Sequence, residues 1–221
     1  GHWRRRAASP EVLPATFDGP LFVILAIAGW VLAGFNRWVV AWLFGVETAG
    51  YFTLAANIAT IAPSMLGTVM LQYLQPLWFS HVPANASERR ILGRKVDQAA
   101  LLYAGGGLLC AIAVAFITPR LVGPLLSARY VSSLAFVLAA GCSTVAITTG
   151  FFYQILLLAV RRERACGPVD LLGAAALVTG SFISALAGRE WFIRWLIFSP
   201  LVPWLVNRPL ARRALRLIAA Q

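Results

Sequence analysis

Charge is what this sequence has least of. Asp, Glu, Lys and Arg make up 12% of its 221 residues, about half of what a soluble domain carries. Acids are scarcer still, eight against nineteen bases. They are Glu11, Asp18, Glu47, Glu88, Asp97, Glu163, Asp170 and Glu190, and all fall in loops or near the ends of apolar runs. No paired-carboxylate or His–Asp–Ser arrangement is readable among them, so catalysis is not expected. A GxxxxGK[ST] phosphate loop is lacking too, and no cofactor is implied. The cysteines Cys110, Cys142 and Cys166 are odd in number and widely spaced, which suggests neither a disulfide framework nor a zinc site. His2 and His81 are far apart and outside the apolar runs, so no metal role is assigned to them. The only methionines are Met65 and Met70, and the first residue is Gly1. The expectation is therefore a piece of a longer chain, its C-terminal part. No small-residue cleavage site follows a short apolar stretch, so no secretory signal is read.

What fills the space left by charge is apolar. The chain is 60% hydrophobic with a mean hydropathy of +0.77, against 45–50% in ordinary soluble domains. A membrane helix needs about 20 such residues, and six runs qualify: about 20–45, 48–78, 98–118, 130–160, 169–187 and 191–206. The second is long enough to tilt or to kink at Pro63 and end near Pro76. The expected fold is an all-α membrane protein, a single domain of about six transmembrane helices over residues 1–221.

The bases test that count. Arg4–Arg6 precede the first run. Arg89, Arg90, Arg94 and Lys95 lie between the second and third. Arg161, Arg162 and Arg164 lie between the fourth and fifth, and Arg208, Arg212, Arg213 and Arg216 follow the sixth. These are alternate loops, hence one side, holding fourteen bases. The other side holds four: Arg120, Arg129, Arg189 and Arg194. The positive-inside rule places the rich side, and both ends, in the cytoplasm. A net charge of +11 and a pI near 11.0 would suggest nucleic acid in a soluble protein. Clustered between apolar runs, the same charge is better explained by topology, and no nucleic-acid partner is expected.

Two cytoplasmic segments read as amphipathic, 84–97 and the basic tail 207–221. Asn85 with Glu88 resembles a capping box, and Ile91, Leu92 and Val96 form an apolar stripe beside Arg90, Arg94 and Lys95. In the tail, Leu210, Leu215 and Ile218 alternate with arginines. Each could lie against anionic lipid headgroups or be a solvated linker. Most of the eight tryptophans fall toward run ends, as an interfacial belt; Trp30 is the exception and is expected to pack deeper. Gly105–Gly107, inside an apolar run, points to close helix packing or a bend.

Arg37 is the informative residue. It lies about 17 residues into the first run, some 15 Å from its outer end at 1.5 Å per residue. An arginine in hydrocarbon costs at least ~2.5–3.5 kcal/mol, so it faces a partner or a watery cavity; alternatively it snorkels to the interface beside Trp38 and Trp42. Asn36 is its neighbour. Asn57, Thr60 and Ser64 share one face of the second helix, where they serve interhelical hydrogen bonds or line a polar cavity.

The stretch Asn36-Arg37-Trp38-Val39-Val40, then Gly45-Val46-Glu47-Thr48-Ala49-Gly50-Tyr51-Phe52, then Pro76, resembles the second half of bacterial polysaccharide flippases. These are the Wzx-type members of the multidrug/oligosaccharidyl-lipid/polysaccharide exporter superfamily. Leu125-Leu126-Ser127-Ala128-Arg129-Tyr130 is similar to the segment before that family's following helix. The departure is at Asn36, where the family commonly has Asp. The resemblance implies a six-helix half of a MATE-like transporter of 12 to 14 helices in the bacterial inner membrane. Its function would be translocation of undecaprenyl-diphosphate-linked oligosaccharide for surface polysaccharide such as O-antigen. Implied partners are the lipid-linked oligosaccharide, membrane lipids, the other half of the chain and other polysaccharide-assembly membrane proteins. Arg37, Asn36 and Asn57 would be the substrate-binding residues, with guanidinium suited to diphosphate. The competing readings are another exporter of that superfamily (lipid II-type flippase or drug/ion antiporter), a membrane-embedded glycan polymerase or ligase, and a non-transporting scaffold. A drug exporter would show ion-coupling acids inside spans. A polymerase would need a large outer loop, and the longest here is only about 119–129.

Overall fold

The computed structural model describes residues 19–80, 85–125, 128–160 and 163–218. Arg4–Arg6, Trp3, His2, His81, Arg161, Arg162 and the last three residues of the basic tail lie outside them, as do the side chains of Arg129, Arg164 and Arg216. Among the described residues every regular element is helical: α1 (Gly19–Phe44), α2 (Val46–Phe79), α3 (Ala86–Leu125), a 3-10 turn (Ala128–Ser133), α4 (Leu134–Ala159), α5 (Glu163–Leu186), α6 (Arg189–Phe198), a short irregular stretch, and α7 (Arg208–Ile218). Four of these are long and apolar enough to cross a membrane, over Val46–Phe79, Ser87–Arg120, Tyr130–Ala159 and Ala165–Leu186. That is the architecture of a membrane protein: helices meet all their backbone hydrogen bonds internally, which hydrocarbon demands.

α4 is the centre. Over an 18-residue apolar stretch 56% of its residues are buried, against 28% in each of the other three, and it touches α2, α3, α5, α6 and α7. Its inner face is built of small residues, including Ala139, Ala140, Gly141, Cys142 and Ala146, which let backbones approach. A Cβ at Gly141 would meet Cβ of Ala111 at 2.8 Å, and one at Gly107 would meet Val145 at 2.9 Å. A Cβ at Gly67 would meet Thr148 at 2.6 Å. α2 and α3 are thus held on α4 nearly backbone to backbone. The run Gly105–Gly107 splits accordingly: Gly106 and Gly107 face neighbouring helices, while Gly105 faces open space.

Aromatic residues fill both ends of the bundle. At the basic end, Tyr103 stacks on Phe152 at 5.5 Å and Trp78 meets Phe152 at 6.2 Å. At the opposite end, Phe52 packs edge-on to Phe136 and tilted against Phe192, and Phe44 reaches Phe192. Arg189 lies over Phe136, 4.7 Å from the ring centre, a cation–π contact that shelters a charge at this end. Two glycines make the turns there. Gly45 (φ +88°) alone joins α1 to α2, and Gly188 (φ +122°) precedes α6, a backbone region open to glycine and strained for other residues.

Two boundaries and the placement of two tryptophans differ from the sequence reading. The amphipathic segment beginning near residue 84 is continuous with the third span, because nothing between Ala86 and Leu125 breaks the helix. Its cap is made as expected, with Glu88 N–H donating to Asn85 Oδ1 at 2.9 Å and Asn85 Nδ2 donating to the Glu88 carboxylate at 3.0 Å. The sixth run is interrupted after Phe198. Pro200 lacks an N–H, and Ser199 Oγ donates to the stranded Leu196 carbonyl at 2.6 Å, a repair typical of prolines in membrane helices. Pro203 then opens a π turn over Pro203–Asn207, closed by Arg208 N–H to the Pro203 carbonyl. Trp30, expected to pack deeper, is 67% exposed and edge-on to Trp38; Trp78, expected in the interfacial belt, is buried.

The close packing predicts opposite outcomes at two glycines. Gly141→Leu overpacks the α3–α4 contact, at a cost of about 1–3 kcal/mol, and lowers the Tm of the detergent-purified protein. Gly105→Ala meets nothing and leaves Tm unchanged or raised.

Candidate functional site

α2 carries a polar stripe. Thr53, Asn57, Thr60, Ser64, Thr68, Gln72 and Gln75 recur at spacings of three and four, so they stand above one another on one helical face. At 1.5 Å per residue the stripe runs about 33 Å, the thickness of the hydrocarbon core. Asn57, Thr68, Gln72 and Gln75 are exposed and the other three half-exposed. The adjoining face of α2, with Phe52, Ala55, Ala56, Ala59, Pro63 and Gly67, is buried against the bundle, and Ile61, Met65 and Val69 are exposed beside the polar stripe. Packing therefore turns the polar face outward. Apart from Asn57, none of the seven forms a side-chain hydrogen bond among the described residues.

Arg37 joins this stripe from α1. Its Nη2 donates to Asn57 Oδ1 at 3.1 Å, and both residues are exposed. α1 ends at Phe44, which puts the Arg37 Cα about 10 Å from the helix end; Asn57 lies about 16 Å from the start of α2. The guanidinium thus reaches inward to a deeper partner and away from the interface. Asn36 is separated from it. Adjacent helical residues diverge by about 100°, and Asn36 Nδ2 donates instead to Ser143 Oγ of α4 at 3.2 Å. Of the three expected site residues, the fold brings Arg37 and Asn57 together and gives Asn36 the task of fastening α1 to α4. An acid at position 36 would not face Arg37 on this backbone.

Two acids have roles that the sequence reading missed. Asp97 accepts from Arg208 at 3.2 and 3.3 Å, from Arg212, and from Tyr153 Oη at 3.2 Å. Arg208 also lies over Trp204 at 5.4 Å. One carboxylate thereby ties α7 to α3 and α4. The apolar face of α7 follows: Ala211 is fully buried, with Leu210, Ala214 and Leu215 against the same core. The tail's stripe is turned onto protein, not left for headgroups. The second acid, Asp170, lies within the span Ala165–Leu186. It lines a cavity of about 70 Å³ with Gln154 and Asn207. An apolar groove of about 490 Å³, lined by Leu74, Leu77, Trp78, Ile91 and Lys95, lies between α2 and α3 at the basic end, away from Arg37. Among the described residues no three His, Cys, Asp or Glu come together as metal ligands.

Comparison with protein-family models, with curated proteins and with solved structures finds no match to this chain.

The Asp97 clamp is testable. Asp97→Ala leaves two guanidiniums without their counter-charge. Because both are partly exposed, the loss is about 1–2 kcal/mol, below that of a fully buried pair. Trypsin cleavage at Arg212 and Arg213 should quicken severalfold in the variant.

Proposed function

We propose that this chain is a six-helix half of a bacterial inner-membrane transporter, and that it translocates an undecaprenyl-diphosphate-linked oligosaccharide for surface polysaccharide assembly. The observation that carries the reading is the outward polar face of α2, extended by Arg37. A polar track as long as the bilayer is thick, on the outside of an apolar bundle, is costly against lipid. An arginine alone costs at least ~2.5–3.5 kcal/mol at mid-helix. The cost disappears where the face borders water and a polar cargo. A second half of the transporter would close the other side of such a cavity.

In this reading α1 and the segment from α6 through the π turn are the fifth and sixth crossings. The same reading puts the Asp97 clamp and α7 at the cytoplasmic side, which the alternating bases in the sequence support. Arg37 offers a planar, permanently charged donor to a diphosphate or an acidic sugar. Asn57 holds it in place with one carbonyl, leaving guanidinium N–H groups for the cargo. The unbonded hydroxyls and amides of Thr60, Ser64, Thr68, Gln72 and Gln75 suit sugar hydroxyls, which exchange weak hydrogen bonds as they pass. No catalytic arrangement is needed.

A cation-coupled exporter of the same superfamily is the second reading, favoured by one observation: Asp170 sits inside a span. The two differ in cargo, and the same experiment separates them. In a full-length protein produced at the normal level, Arg37→Ala should lower surface polysaccharide at least tenfold, while Arg120→Ala, at the far end of α3, should not. Unaltered polysaccharide with loss of drug resistance would assign the exporter reading instead.

A further inference from the structure

The groove between α2 and α3 at the basic end is built like a phospholipid. We infer that it binds one phosphatidylethanolamine, with the phosphate on Lys95 and the amine on Glu88. The inference rests on the chain lying in a membrane and is independent of the cargo proposed above.

The shape comes first. α2 and α3 are tight where a Cβ at Gly106 would meet Leu66 at 3.1 Å and one at Gly67 would meet Tyr103 at 3.0 Å. Toward the basic end Leu74, Leu77, Trp78, Ile91 and Leu92 wall a space of about 490 Å³, the size of a small-molecule site. The apolar surface continues past it. Leu101 and Leu102, one turn beyond Gln98 on α3, are 64% and 71% exposed, and Leu109 extends the row. An acyl chain can therefore leave the groove along α3 without meeting a polar surface.

The polar groups of the groove come in a fixed order of depth. Glu88, Lys95 and Gln98 line it together with Ile91 and Leu92, and this spacing puts all five on one face of α3. Arg90 and Arg94 each stand about 100° round the helix from Ile91 and Lys95. Gln98 is deepest. Lys95 is about one turn nearer the basic end, and Glu88 about 10.5 Å beyond Lys95. Lys95 and Gln98 are exposed, and neither side chain forms a hydrogen bond or ion pair among the described residues. Glu88 accepts from Asn85 Nδ2 at 3.0 Å, and a carboxylate has further acceptor sites.

That order matches one headgroup. Ester carbonyls lie next to the chains and accept from the Gln98 amide. The phosphate follows and takes the Lys95 ammonium in a charge-assisted hydrogen bond. Basic pockets between membrane helices recognise lipid headgroups in this way. The amine is outermost and donates to Glu88. Two such contacts, with the short ethanolamine arm between them, span a gap of the order seen between Lys95 and Glu88. Phosphatidylglycerol would offer Glu88 only a neutral alcohol. The quaternary nitrogen of phosphatidylcholine carries no N–H to donate.

The test uses the purified full-length protein in detergent, supplemented with dioleoyl phosphatidylethanolamine, phosphatidylcholine or phosphatidylglycerol. Phosphatidylethanolamine should raise Tm saturably, as a ligand of the folded state does, at a concentration at least fivefold lower than the other two. Native mass spectrometry should find one retained per chain. Lys95→Met, which keeps the apolar stem, should weaken all three lipids at least fivefold. Glu88→Gln, which keeps an acceptor for Asn85, should make phosphatidylethanolamine and phosphatidylcholine equivalent. Should Glu88→Gln loosen the start of α3, the comparison of the three lipids on the unaltered protein carries the test. Equal response to the three lipids, or preference for phosphatidylglycerol, overturns the proposal. So does binding undiminished in Lys95→Met, or a polyprenyl diphosphate retained in place of the phospholipid.

Discussion

Backbone-to-backbone contact of α2 and α3 with α4 sets everything else in this bundle. Gly67, Gly107 and Gly141 bring the three helices so close that none can rotate about its axis without collision. In hydrocarbon there is no hydrophobic force between helices, and van der Waals fit of this kind takes its place. Once α2 is locked with Phe52, Ala55, Ala59 and Gly67 inward, its remaining face has no freedom of direction. That face carries Asn57, Thr68, Gln72 and Gln75, and it points out.

The same constraint sorts the charged and polar groups by what each finds nearby. Asp97 finds two guanidiniums and a phenol, and becomes a structural tie between α3, α4 and α7. Arg189 finds an aromatic face. Asn36 finds Ser143. Among the described residues Arg37 finds only Asn57, a neutral partner that satisfies one of its five donors. Asp170 finds a cavity. Among the described residues, spare capacity is found along the outer face of α1 and α2, and singly at the buried Arg89 Nε and Trp195 Nε1. Function is proposed on the outer face of α1 and α2, where such groups gather.

Much of the helix content was legible because apolar run length responds directly to bilayer thickness. The boundaries of α1 and α2 fall within a few residues of the expected ones, and the face shared by Asn57, Thr60 and Ser64 follows from helical periodicity alone. What periodicity cannot convey is which neighbour a face meets. Asn36 and Arg37 are adjacent in sequence yet serve different helices. The joining of the amphipathic segment to the third span was hidden because charge, not helix propensity, was the boundary signal there. Asp97 and Arg208 are more than a hundred residues apart, and only the fold brings them together. Counted from Val169, the fifth apolar run leaves Asp170 at its edge; the helix begins at Glu163, which carries Asp170 inside. The break in the sixth run had a local sign, Pro200 and Pro203 within one apolar run.

The central claim is that the outer face of α1 and α2 borders water within the membrane. Single cysteines on that stripe, in a full-length protein whose Cys110, Cys142 and Cys166 are replaced, report this directly through a hydrophilic maleimide. Cysteines at Thr60, Ser64, Thr68 and Gln72 should react at rates near those of loop positions, while cysteines at Leu102, Leu109 and Phe116 of α3, exposed but apolar, should stay unlabelled. If the stripe is as unreactive as α3, its polar residues face lipid or protein and the account is wrong.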